Sequence, residues 1–204
     1  MLNPQGKLYR KLRPVLEGFY EDNYWGEDAL FLERNSRDFK SRVYTINQNA
    51  EAVCDLLYAH SLEGANSSES QPPMITKVPV IKKLYYPKWI TTDLYNSLKT
   101  PLGGFGGLFS VTFTCETAAR AFFDALGCEK GPSLGTNFTL ACPFVILAHY
   151  TELEWARGYG VDPYLVRVSV GLEKREVLIG WIENALRAAE IAVLEQDKLA
   201  GVEA

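Results

Sequence analysis

Several side chains fall where they could do chemistry, and each also has a structural alternative. His149 is one of two histidines, with His60. An imidazole can pass a proton near neutral pH, or close a core helix through a backbone hydrogen bond. Arg34, Arg37 and Arg42 cluster after the acidic, aromatic turn FYEDNYWGED, where guanidinium groups could meet an anionic ligand or pair with surface acids. Within that turn Asp22, Tyr24 and Trp25 could orient an amine and stack on a flat group, or pack as interface anchors. Arg167 stands between valines in YLVRVSVG, where it could take a carboxylate, cap a domain edge or bind Glu173. Ser133, Gly135 and Asn137 lie in GPSLGTNFT and read by themselves as turn residues.

The elements that must carry these residues follow from periodicity. Leu8, Leu12, Val15, Leu16 and Phe19 recur at helical spacing, with Pro14 bending the segment or marking where it becomes regular. Phe39, Val43, Ile46, Ala50, Val53 and Leu57 form the stripe of a longer helix. SLEGANSSESQPP has little to bury and many turn formers, so a loop is expected. VIKKLYYPKW reads as a strand ending at a proline, and GGFGG as a turn before the strand LFSVTF. Those glycines match neither the Walker nor the dinucleotide pattern. A helix is expected through Ala118, Ala119, Phe122, Phe123 and Leu126, with Gly127 as its stop. The apolar run from Phe138 through Trp155 has no single period, and its second half reads as a buried helix. In Tyr164 to Val170 the valines take one strand face and Arg167 and Ser169 the other. Val177, Leu178, Trp181, Ile182, Ala185, Leu186 and Ala189 mark a closing amphipathic helix.

The expected fold is therefore α+β: a helical arm over residues 1–60, a flexible loop over 61–79 and a carboxyl-terminal α+β domain over 80–204. With 204 residues, 47% hydrophobic and 23% charged, the chain is long enough to bury its own core. Its 21 basic and 25 acidic residues give a net charge of −4, which argues against a nucleic-acid partner. No secretion signal or membrane-length apolar stretch is read, so a cytoplasmic location with no membrane partner is expected. Cys54, Cys115, Cys128 and Cys142 form no CxxC pair and read as isolated small core residues, with no metal site.

Four stretches, YEDNYWGEDALFLERNSRDF, GGFGGLFSVTF, KGPSLGTNFTLACP and YLVRVSVGLE, occur in an order that resembles the carboxyl-terminal half of fungal cystathionine gamma-synthase-like enzymes. These are pyridoxal-phosphate-dependent enzymes of Cys/Met metabolism on a fold-type I, aminotransferase-like scaffold. The resemblance implies that residues 80–204 are the small domain, with a mixed or antiparallel sheet and helices packed on it. It implies that Arg167 holds the substrate's alpha-carboxylate, that Ser133 lies by the cofactor-bearing lysine, and that Gly135 is a turn beside the substrate. Arg34 corresponds to the arginine opening the long interdomain helix, and Arg42 and Asn49 fall at two further matching positions. Thr136, Asn137 and Thr139 depart from the SLGGxES pattern of many members, which leaves the substrate open.

The same resemblance places the cofactor lysine, the phosphate-binding residues and the ring-stacking aromatic upstream of MLNPQGKLY. No cofactor is then expected in the isolated chain, and pyridoxal phosphate only if a partner completes the site. The leading expectation is a truncated, repurposed transsulfuration-like enzyme that recognises an amino acid or other carboxylate. Arg167 would anchor it, Asn137 and Gly135 would line it, and His149 and Ser133 are its catalytic candidates. Asp22, Tyr24, Trp25, Arg34 and Arg37 are candidates for a pocket or an interface. The alternatives are a noncatalytic or regulatory partner of a full-length homolog, a homodimer included, and one half of a split pyridoxal-phosphate enzyme.

Overall fold

The computed structural model describes residues 3–66 and 78–202. Most of the expected loop over 61–79, residues 67–77, lies outside them. By internal contacts the chain divides into two units, Met1–Phe39 and Lys40–Ala204.

The first unit holds α1 (Tyr9–Phe19) and α2 (Gly26–Ser36), joined by extended backbone. Pro14 sits inside α1. Neither helix has a buried residue. Their side chains are tied locally instead, as in the Arg13–Glu17 and Arg37–Glu33 pairs at four-residue spacing, which stabilise a helix only slightly.

The second unit begins within α3 (Phe39–Ala59). Residues 40–60, grouped with the arm by sequence, belong here. Ala50, Val53, Cys54 and Leu57 of α3 are buried in the main core, while Phe39 and Val43 of the same stripe are about half exposed. After it the order is β1 (Ile81–Tyr85), α4 (Thr92–Leu98), β2 (Leu108–Phe113), α5 (Glu116–Ala125), β3 (Glu129–Lys130), β4 (Leu140–Pro143), α6 (Phe144–His149), α7 (Leu153–Gly158), β5 (Val166–Ser169) and α8 (Arg175–Val202). Among the described residues the strands form one five-stranded sheet in the order β1-β2-β5-β4-β3. Only β3 and β4 pair in parallel, so the sheet is mixed.

One face of the sheet carries the core. Val168 and Val170 meet Leu178, Trp181 and Ile182 of α8. Ala118 and Ala119 of α5 and Ala185 and Ala189 of α8 are all buried, and such small side chains let two helices approach closely. Lys130 closes the end of α5, donating from Nζ to the carbonyls of Phe123 and Leu126 at 2.6 and 2.7 Å. Desolvation there pulls its ammonium below its ordinary pKa.

Two expectations are corrected. The second half of the run after Phe138 is helical, but not as one buried helix: after β4 it breaks into α6, a short 3₁₀ turn (Tyr150–Glu152) and α7. Leu147, Tyr150 and Trp155 on that segment are mostly exposed. The start of the expected loop is also tied down. Ser61 is buried and bridges to Ile81, and the Leu62 N–H donates to the Ile81 carbonyl. No helix of the described residues is long and apolar enough to cross a membrane.

Candidate functional site

Arg167 lies on β5, the middle strand, and points to the face opposite Val166 and Val168. Register places Ser110 of β2 and Cys142 of β4 beside it, and paired residues share a face. Its Nη2 donates to the Pro132 carbonyl at 2.7 Å, and its Cζ stands 4.6 Å from the centre of the Phe144 ring. Glu173 is not its partner, and no described carboxylate forms an ion pair with it. Arg167 as a residue is half-buried, and its guanidinium hydrogen bond to Pro132 is exposed, with N–H donors left over.

The turn from Pro132 to Phe138 runs over the same face. Gly135 adopts φ +70°, a left-handed conformation costly for a residue with Cβ. Its N–H donates to Ser169 Oγ at 3.1 Å, so the turn is pinned to β5 at both Arg167 and Ser169. Ser133 lies between these two pins and is exposed. Asn137 Oδ1 accepts from Arg42 Nη1 of α3 at 3.1 Å, and the Asn137 carbonyl accepts from the Leu172 N–H at 2.8 Å.

Behind the turn is a buried polar knot. Glu173 accepts from the Thr139 N–H at 2.6 Å and from its hydroxyl at 2.8 Å. Thr139 Oγ1 in turn accepts from the Gly171 N–H at 2.9 Å. Asn49, 4% exposed, donates to the carbonyls of Gly171 and Glu173 at 3.2 and 2.9 Å. The knot joins α3, the turn and the start of α8, and every polar group named in it is paired, as burial requires.

The glycine turn before β2 is packed for shape. Gly106 has φ +88°, its N–H donates to Asn47 Oδ1 at 3.0 Å and its carbonyl accepts from the Tyr86 hydroxyl at 2.9 Å. A Cβ on Gly107 would stand 2.3 Å from Ile46 Cγ2, so glycine allows the turn to press against α3.

His149 ends α6. Its Nδ1 is 2.7 Å from Glu152 Oε1, and its ring meets the Phe144 ring edge-on at 6.1 Å. Arg167, Gly135 and Asn137 are thus brought together with Ser133 on one turn and strand, while His149 reaches them through Phe144. In the first unit Arg37 is engaged by Glu33 through two hydrogen bonds of 2.9 Å. Arg34 lies on α2, and Asp22, Tyr24 and Trp25 are exposed in the stretch before it. Phe144 and the pairing of Glu173 with Thr139 escaped sequence reasoning. The signal available was Phe144 directly following the strand LACP.

The Cys/Met metabolism PLP-dependent enzyme family, where PLP is pyridoxal phosphate, matches residues 26–187. A cystathionine gamma-synthase-like enzyme of Amanita muscaria is 47% identical over 205 residues, covering 94% of this chain and 31% of that protein. Cystathionine gamma-synthase of Neurospora crassa is 46% identical over 191 residues, covering 93% of this chain and 28% of its own length. The chain thus spans roughly three-tenths of the length of these curated relatives. In fold it is similar to the crystal structure of cystathionine gamma synthase from Xanthomonas oryzae pv. oryzae in complex with cystathionine, with a TM-score of 0.60 and 24% identity over 78% of this chain and 37% of that one. A family match over most of the chain, carried on this α+β architecture, establishes that the chain belongs to the Cys/Met metabolism PLP-dependent enzyme family.

Proposed function

We propose that the chain is a repurposed transsulfuration-like enzyme working in the cytoplasm on an amino acid or another small carboxylate, with Arg167 as the substrate anchor. The observation that carries this reading is a guanidinium at the middle of the sheet, held by a carbonyl and a ring but by no described acid. A planar guanidinium presents parallel donors that match a carboxylate and fix its direction. The Gly135 turn brings backbone close to that position without a side chain, and the exposed Ser133 hydroxyl and Asn137 amide supply polar contacts at its rim. His149 is the proton-transfer candidate, and its hold on Glu152 sets its orientation.

Pyridoxal phosphate would need an amine for its aldehyde and donors for its phosphate. Among the described residues Lys82 turns to Asp162, Lys83 to Glu63 and Lys88 to Glu51 and Asp55, and Lys130 caps α5. None of these lysines contacts Arg167. The surroundings of Arg167 fit a substrate carboxylate and do not fit the cofactor's aldehyde, so no step is routed through the cofactor.

The test compares an amino acid with its amide by titration calorimetry. Arg167→Ala should weaken the acid by about 2 kcal/mol, the order expected of hydrogen bonds to a charged group, and leave the amide nearly unchanged. Equal losses for both ligands, or no saturable binding of the acid to the wild type, would sink the reading.

A second reading has one observation in its favour. Phe19, Trp25 and Phe31 of the first unit are 85%, 66% and 66% exposed, and aromatic side chains left in solvent are suited to anchor a partner. In this reading the chain pairs with a second copy or with a full-length homolog, noncatalytically or by completing a pyridoxal-phosphate site. Native mass spectrometry of protein purified from its source separates the cases. A chain found alone under several conditions argues against any pairing. A stoichiometric homolog, with a visible absorption change on adding the cofactor, supports the shared site.

A further inference from the structure

Arg167 is restrained from two directions at once. Pro132 accepts from Nη2 at 2.7 Å, which sets one edge of the guanidinium. The Phe144 ring stands against the Cζ at 4.6 Å. The ring is in turn well placed to act as a fixed platform. Phe144 opens α6 immediately after Pro143, whose register partner is Val166, the neighbour of Arg167 on β5. Sheet pairing therefore fixes the separation of the two backbone positions from which the ring and the guanidinium reach each other. The ring also meets the His149 imidazole at 6.1 Å and 78°, an edge-on contact. That imidazole is held by Glu152 at 2.7 Å and touches the Trp155 ring at 6.2 Å.

An arginine side chain has many rotamers, and binding a carboxylate through two donors requires one of them. A ring face attracts the cation and fixes the plane in which the remaining N–H groups lie. We propose that Phe144 is the positioning residue of the carboxylate site: its ring holds the Arg167 guanidinium in the orientation that accepts a planar carboxylate. His149, itself held by Glu152, packs edge-on against the ring. The inference rests on the reading of Arg167 as the carboxylate anchor, and it adds a residue with no polar atom to the side chains that decide affinity.

The experiment uses the full chain and two probes, L-norvaline and L-norvalinamide, which differ only in the carboxylate. Without ligand, the Arg167 Nε–H and side-chain methylene signals in NMR report the ring-current shift and the rotation about Nε–Cζ. Phe144→Leu should remove the shift and speed the rotation, and Phe144→Tyr should keep both. In titrations, Phe144→Leu should weaken norvaline about tenfold, the order of a partly desolvated cation–π contact, and leave norvalinamide unchanged. Phe144→Tyr should restore the wild-type affinity. In an Arg167→Met background, which offers the ring no cation, Phe144→Leu should cost nothing further, because its effect passes through the guanidinium.

Equal weakening of both probes by Phe144→Leu would mark Phe144 as a packing residue and overturn the proposal. So would unchanged norvaline affinity in Phe144→Leu alongside a loss in Arg167→Ala, an outcome that leaves the anchor reading standing. Unchanged norvaline affinity in Arg167→Ala would remove the anchor reading and the positioning role with it.

Discussion

Glu173 and Thr139 illustrate how single side chains shape this site without facing it. The carboxylate takes up the N–H and the hydroxyl of Thr139, and the hydroxyl takes up the Gly171 N–H. With Glu173 committed there, no acid among the described residues pairs with Arg167. A second acid works differently. The Tyr164 hydroxyl donates to Glu116 Oε2 at 2.6 Å and holds that carboxyl below its ordinary pKa of 4.5; partial burial opposes the shift and Arg120 adds to it. The folded-state pKa is thus depressed. The pair contributes stability above the unfolded carboxylate pKa, and the contribution is lost as pH falls through the lower folded value. Tyr164→Phe should move the Glu116 midpoint upward in an NMR titration of its side-chain carboxyl. An unmoved midpoint would assign the depression to Arg120 instead.

At the scale of elements, α3 is fastened to the turn between β5 and α8 by one buried amide. Asn49→Leu keeps the size of the side chain but leaves the carbonyls of Gly171 and Glu173 without their donor. The cost should be about 2 kcal/mol, the range for an unsatisfied buried group, read as a lower urea midpoint with the slope unchanged. Much of this architecture was legible beforehand, and the reason is local. Valines alternating with Arg167 and Ser169 can only be a strand with Arg167 on the opposite face from the valines. The Ala118, Ala119 and Phe122 stripe can only be a helix buried on one side. The segment after Phe138 was illegible because LACP is too short for its period to separate strand from helix. The ties that build the site were illegible for another reason: Arg42 with Asn137 and Asn49 with Glu173 join positions 95 and 124 residues apart. Nothing in either local sequence names the partner. The resemblance to fungal enzymes singled out Arg167 and its turn but carried no indication of Phe144.

For the whole molecule, stability is distributed unevenly between the two units. The helices of Met1–Phe39 bury no residue, whereas the main cluster of buried side chains lies entirely within Lys40–Ala204. Regions with few buried apolar contacts open at low free energy. Limited trypsin digestion should therefore cut first around Arg34 and Arg37, leaving a product that begins near Lys40 and still melts cooperatively. Early cleavage at Lys82 or Lys83 in β1, or at Arg167 in β5, would show that the second unit depends on the first. The sheet order also has a bearing on biosynthesis. The middle strand, β5, is the last strand in the sequence. A nascent chain leaving the ribosome can join β1 to β2 and β3 to β4, but these two pairs have no common neighbour until Val166–Ser169 emerges. Helix α8, which covers the apolar face, comes later still. At roughly 5–20 residues per second, the strands made first wait uncovered for seconds, and the sheet closes only once β5 and α8 have both emerged.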